Sequence, residues 1–453
     1  MNPVPKTMPS LPVLNNYAAG IDIGAPHIYV AVPQDADTQP VRRFETFTQD
    51  LEALAQWLHA CHIQTVAMES RGVYWIPLFQ ILEAQGFTLC LVNSRDWRNA
   101  PGRKTDVCDS QWLQYLHACG LLRASFRPEQ QVCAVRSLLR HRESLISSSA
   151  SHIQRMQKSL TQMNLQLHHV LSDITGKTGL AILDAILEGE RDPDVLSAYR
   201  DPRVKASPET IAKSLAGHYR PEHLFTLKQS LCSYRHYQTL ITECDAEIER
   251  MFADFDARVD PNEKPFPEGS KSKPQRGNVL RFQESDLTEE LYRLLGNDLT
   301  QVPGFGVLTL YTLLSEVGRD MSAFPTEKHF CNWLGLCPGN RISGDKVLSS
   351  KSRRVASRAA RAFRIAAQSL WHSRSALGDY YRRMCARLGR AAGNTATAHK
   401  LARIFYHLLK TGEAYEEGVF AQEQERSAKH REHRLEKEAA KMGYKLVPVT
   451  PKE

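Results

Sequence analysis

The chain opens on short apolar runs separated by amphipathic stretches. Ala19 to Gly24, Ile28 to Val32 and Val41 to Thr46 read as strands, and Asp50 to Ala60 reads as a helix. Thr65 to Glu69 and Phe87 to Val92 read as further strands, with a helix from Val73 to Ala84 between them. A last helix carries Asp106 and Asp109. Strands and helices in this order predict an α/β domain over residues 18–125. The period then changes. Glu129 to Ile174 contains no proline and spaces its apolar residues by threes and fours. Leu224, Leu227, Leu231, Tyr234, Tyr237, Ile241, Cys244, Ile248 and Met251 follow a near-heptad seam. These patterns predict two long helices over residues 126–256 that pair with each other or with another subunit. Residues 175–221, broken at Pro193, Pro202, Pro208 and Pro221, read as a small helical insertion. Residues 257–286, rich in Pro, Lys, Ser and Gly, read as a flexible linker. A helical domain over 287–415 and a charged tail over 416–453 follow.

Within that frame four carboxylates stand out. Asp22 interrupts an apolar strand, where a charge is costly without a partner. Glu69 ends a second strand, and Asp106 and Asp109 share one face at a helix start. Acids at strand ends of an α/β sheet mark the usual place for a site. The set falls where an RNase H-like nuclease places its metal ligands, and an all-oxygen set of this kind suits Mg²⁺. Taken singly, Asp106 and Asp109 also read as first-turn acids favoured by the helix dipole. Asp22, between Gly20 and Gly24, also reads as a bulge residue.

Charge adds a second feature. The chain carries +8, yet residues 341–410 hold sixteen Lys and Arg against two acids, a local +14. Such a block is the footprint of a polyanion-binding surface. Within it Arg354, Arg358, Arg361 and Arg364 recur at helical spacing beside an apolar stripe of Val355, Ala359, Ala362, Phe363, Ala366 and Leu370. Arg341, Lys346, Lys351 and Arg353 lie just upstream and join the candidate nucleic-acid contacts. The alternative is a solvated charged face, which ordinarily mixes signs. Pro303-Gly304-Phe305-Gly306 before an apolar helix, Val307 to Val317, resembles a helix-hairpin-helix turn. There Gly304 and Gly306 would let backbone N–H groups approach a phosphate. A plain turn between packed helices is the other reading.

Other features narrow the class. Ten cysteines include no Cys-x-x-Cys pair and read as reduced core residues. His168-His169 and His430/His433 read as solvated helix positions. Gly176-Lys177-Thr178 lacks the upstream glycine of a phosphate-binding loop, Leu171 standing there, so no ATP site is expected. No apolar stretch approaches the roughly 18 residues of a membrane span. The Pro-rich start, Met1 to Tyr17, lacks a secretory apolar core, so a cytoplasmic address is expected.

Asp22, Glu69 and Asp106-x-x-Asp109, the helical middle, the Pro303 to Gly306 turn and the run Trp333 to Gly344 together resemble the DEDD-type transposases of bacterial insertion sequences, the IS110 family in its longer branch. The resemblance covers roughly residues 18–415. It implies a RuvC-like N-terminal domain that binds Mg²⁺ and a C-terminal transposase domain that supplies a nucleophilic serine, matched here by Ser343. It also implies recombination of double-stranded DNA guided by a structured non-coding bridge RNA, in a homotetramer whose active sites are shared across subunits. From the residues alone Ser349 and Ser350 compete with Ser343, because a Ser-Gly pair is commonly only a turn. Asp345 departs from the family pattern beside the serine. Two other functions fit the same residues: a RuvC-like junction nuclease using metal-activated water, and a non-catalytic nucleic-acid-binding scaffold.

Overall fold

The computed structural model describes residues 11–93, 105–260, 264–267, 278–344, 346–353 and 355–420, with 429, 433, 435–437 and 439–445 of the tail. Arg354, Asp345 and His430 lie outside the described residues. The chain divides into two units, Met1–Arg127 and Pro128–Glu453.

The first unit is built on a five-stranded sheet of order β3-β2-β1-β4-β5. Its strands are β1 (Ala18–Ile23), β2 (His27–Ala31), β3 (Val41–Glu45), β4 (Thr65–Glu69) and β5 (Thr88–Val92). The first three form an antiparallel meander, and β4 and β5 join parallel to β1. Side chains alternate across the sheet. Ala19, Ile21 and Ile23 therefore enter one core with Ile28, Val30, Val66 and Met68. That core is closed by Leu54 and Leu58 of α1 (Thr48–Ala60) and by Leu78 and Leu82 of α2 (Trp75–Ala84). The opposite face is covered by α3 (Asp106–Ala118), whose Leu113 packs on Ala67 and Val92. A mixed sheet in this order with helices on both faces is the RNase H/RuvC-like topology. Helix α1 begins at Thr48, two residues before Asp50, and the acid in its first turn suits the helix dipole.

Among its described residues the second unit is helical apart from one hairpin. Helices α4 (Gln130–Gln162) and α9 (Pro221–Ala253), 33 residues each, pair with each other. Arg142 meets Asp245, Ser149 meets Gln238 and Ser159 meets Thr226, so the helices run antiparallel. Leu227, Leu231, Ile241, Cys244 and Ile248 of the seam are buried. Between them come α5 (Leu167–Val170), α6 (Lys177–Glu188), α7 (Pro193–Ser197) and α8 (Pro208–Leu215), which share a core with Met156, Leu160 and Leu227. Pro193, Pro208 and Pro221 each open a helix, where the missing N–H costs nothing.

Arg142 and Asp245 are both buried and ion-paired. The guanidinium also donates to the carbonyls of Asn278 and Val279, each at 2.9 Å. Asp245 accepts from the Arg281 N–H at 3.1 Å, and Glu249 accepts from the backbone of Gln283, Glu284 and Ser285 at 2.7–2.9 Å. Residues 278–286 of the stretch expected as a linker are therefore docked on α9. The chain continues through α10 (Leu287–Leu295), α11 (Val307–Val317) and α12 (Glu327–Trp333) to a hairpin, β6 (Arg341–Ser343) and β7 (Lys346–Ser349). Helices α13 (Arg358–Ser369), α14 (Ala376–Leu388) and α15 (Arg390–Thr411) complete the unit. Phe305, Phe330, Phe363 and Phe405 interlock at its centre, with ring centroids 5.6–6.3 Å apart. Among the described residues no helix is long and apolar enough to cross a membrane.

Candidate active site and nucleic-acid interface

Asp22 and Glu69 lie toward the carboxyl ends of two adjacent parallel strands. The register pairs Ile21 with Met68, so the next step along β1 and β4 brings the two acids alongside one another. Asp22 shares its sheet face with Gly20, and Glu69 shares its face with Ala67. Both faces are covered by α3. Both acids are buried, Asp22 at 6% and Glu69 at 0% exposure.

Helix α3 runs antiparallel to β1. Its Ala118 carbonyl accepts from the N–H groups of Leu14 and Asn15 at 2.8 and 2.9 Å. About one turn earlier, Gln114 donates to the Ala18 carbonyl at 3.2 Å. A Cβ on Gly20 would lie 2.2 Å from the Gln114 nitrogen and 2.5 Å from the Ser110 oxygen. His117 bonds Thr65, at the start of β4, at 2.8 Å, and burial pushes its pKa down so that the ring stays neutral near pH 7. The helix's opposite end, its first turn with Asp106 and Asp109, is thereby carried toward the strand ends that bear Asp22 and Glu69. Thr105 caps that turn, accepting from the Cys108 N–H at 3.3 Å. Asp109 is half-buried and Asp106 exposed.

The four acids form an all-oxygen donor set whose chemistry fits Mg²⁺. Among the described residues, however, no group of three or more His, Cys, Asp or Glu side chains is placed to hold a metal ion. The backbone thus brings together the strand ends and the helix start. It does not close the four carboxylates into one cage.

In the second unit, Arg341 and Ser343 lie on the β6–β7 hairpin, which turns through Gly344 at φ +56°. Ser343 pairs across the hairpin with Lys346, and Arg341 pairs with Ser349. A bulge beside Arg341 takes up the odd residue, so these four side chains share one face. Ser343, Arg341 and Lys346 are exposed. Ser349 is half-buried, and its hydroxyl accepts from the Lys351 N–H at 3.4 Å. Arg353 reaches the Asn332 carbonyl at 3.3 Å. Of the three candidate serines, Ser343 has cations both across the hairpin and two residues before it on the same face.

Ser357 caps α13, accepting from Ala360 N–H at 3.2 Å. Ala359, Ala362, Phe363 and Ala366 are buried, while Arg358 and Arg361 project outward and Arg364 is half-buried. Both outward arginines pair with Glu143 of α4, Arg361 at 3.4 Å. Burial, then the neighbouring Arg140 and Arg361, hold the Arg358 pKa below its usual value. Glu143 was invisible to sequence reasoning, since it lies more than 200 residues upstream and belongs to no motif. Gly304, at φ +96°, has its own packing cause: a Cβ there would come within 2.8 Å of the Ala366 carbonyl. Gly306 caps the start of α11 and is exposed, with open space around its Cβ position.

Two family models match the chain. One, of the DEDD type of IS110 and described as a transposase, matches residues 19–165. The other, described as the transposase IS116/IS110/IS902 family, matches residues 296–382. The first match takes in the sheet and the four acids, and the second takes in the hairpin with Ser343 and helix α13. No curated protein matches the chain.

The contact at Gly20 yields a direct test. Gly20→Ala places its methyl against helix backbone, which cannot rotate away, and is expected to cost about 1–3 kcal/mol. Chemical denaturation of the full chain measures this, and an unchanged midpoint for the first unit's transition would mean that α3 does not lie so close to β1.

Proposed function

The chain belongs to the IS110/IS116/IS902 family of transposases, and from that premise we propose that it cuts and rejoins element and target DNA through a covalent phosphoserine on Ser343. The reaction is guided by a structured non-coding RNA of the element and takes place in the bacterial cytoplasm, at the nucleoid. The observation that carries this reading is the face of the β6–β7 hairpin on which exposed Ser343 stands with Arg341 and Lys346.

The chemistry follows from those side chains. The Ser343 hydroxyl attacks a scissile phosphorus as its proton passes to a base. The bond from phosphorus to the 3′ oxygen breaks, and that oxygen leaves as a 3′-hydroxyl. Lys346 and Arg341 attract the phosphoryl oxygens and oppose the charge that gathers on them in the transition state. A 3′-hydroxyl from the other duplex then attacks the phosphoserine, restoring the serine and joining the exchanged strands. The number of phosphodiester bonds is conserved, so no outside energy source is needed. Asp22, Glu69, Asp106 and Asp109 are the residues that would hold Mg²⁺, which when bound supplies Lewis-acid stabilisation of a phosphate. Because two duplexes are cut, more than one Ser343 is required, and the family resemblance supports a tetramer.

Strand cleavage by purified variants tests the assignment. Ser343→Ala is expected to lower cleavage by a factor of about 10³ or more, as are Asp22→Ala, Glu69→Ala, Asp106→Ala and Asp109→Ala, all with unchanged circular dichroism. Near wild-type cleavage by Ser343→Ala would replace serine with a water nucleophile. Near wild-type cleavage by any two of the acid variants would remove the four-acid assignment.

The arginine helix makes a separate prediction. Neutralising Arg354, Arg358 and Arg361 together should flatten the salt dependence of duplex DNA binding by about 0.9 in the logarithmic slope per lost phosphate contact. An unchanged slope would leave Glu143, not DNA, as the partner of Arg358 and Arg361.

A further inference from the structure

The cations and Ser343 occupy only one face of the β6–β7 hairpin. The other face presents the cross-strand pair Ile342 and Val347, each 61% exposed. An isolated two-stranded ribbon has little stability of its own, and exposed apolar side chains at its tip are a liability unless a partner receives them. The rest of the ribbon sets the chemistry of that partner. Arg341, Lys346, Lys351 and Arg353 stand on it or at its base against a single acid, Asp345. The charge therefore selects a polyanion. The apolar pair needs a surface that a phosphate backbone cannot offer, and the faces of unstacked bases provide one.

We infer that the Ile342–Val347 face is a wedge that enters duplex DNA beside the phosphate met by Ser343 and opens a base step there. A ribbon of two strands is narrow enough to lie in a DNA groove. Apolar side chains inserted between base pairs are a recurrent means of kinking a duplex. Ile342 adjoins Ser343 and points to the opposite face, so a ribbon in the groove turns Ser343 and the cations to the backbone and Ile342 and Val347 to the bases. Opening the step would also free the scissile phosphate from the regular helix. The inference rests on the reading of this hairpin as the DNA-cutting element, and it adds residues that position the substrate without taking part in the chemistry.

The test is a binding ratio. The full-length protein is titrated with a mixed-sequence DNA duplex and with the same duplex carrying a short mismatched bubble. Wild type is expected to bind the bubble at least about tenfold more tightly, because the unstacking cost is already met. Ile342→Thr/Val347→Thr, which keeps β-branched residues in the ribbon, is expected to bring the ratio close to one while leaving the salt dependence of binding unchanged. A wild-type ratio near one, or a ratio that the double variant leaves unaltered, would overturn the wedge. So would sedimentation showing that the double variant falls apart into smaller species with its ratio intact, since the face would then join copies of the chain. Ser343→Ala should keep the wild-type ratio whether or not it cleaves, so failure of the serine mechanism and failure of the wedge are read separately.

Discussion

The candidate site of the first unit depends on how closely one helix approaches one strand. At Gly20 the backbone of α3 occupies the space that any side chain would fill, with Gln114 and Ser110 inside 3 Å of the missing Cβ. That approach lets the helix lie directly on the middle of the sheet, and it sets where the first turn ends up. Gln114 on Ala18 and His117 on Thr65 then fix the direction, so Asp106 and Asp109 travel toward the strand ends bearing Asp22 and Glu69. The first-turn acids also suit the helix dipole.

The second unit is ordered by a buried ion pair. Breaking such a pair by removing one partner costs about 3–5 kcal/mol, because a charge is left uncompensated. Arg142 and Asp245 are further bound to the backbone at Asn278, Val279 and Arg281, so the pair fixes the segment that leads into the C-terminal helices. Its sequence neighbour Glu143 turns outward to Arg358 and Arg361, successive residues on a helix being about 100° apart. One turn of α4 thus places a structural arginine inside the unit and an acid beside the basic helix. Phosphate would have to compete with that acid for the two guanidinium groups.

Much of this was legible in the sequence where a face is buried. The apolar runs of β1 and β4 record strands packed on both faces, and the heptad seam of α9 records the side that packs; Asp22 and Glu69 stand out because they interrupt or end those runs. The hairpin left no such record: its strands are three and four residues long and exposed on both faces, so burial imposes no alternation on them. Residues 278–286 carry only two large apolar side chains, Leu280 and Phe282, and the rest of their attachment to α4 and α9 is made by backbone groups, so the segment has the composition of a linker. Pro193, Pro208 and Pro221 were read as interruptions, and a proline that opens a helix carries the same letter as one that ends it. The ion pairs of Glu143 join residues too far apart in the chain for any local pattern to signal.

The covalent link to Ser343 is open to one direct measurement. Wild-type protein is incubated with Mg²⁺, the element's RNA and DNA carrying the element and target sites, then denatured, digested and analysed by peptide mass. A nucleotide adduct that survives denaturation and maps to Ser343 is expected. Robust strand cleavage with no adduct on any peptide would contradict it.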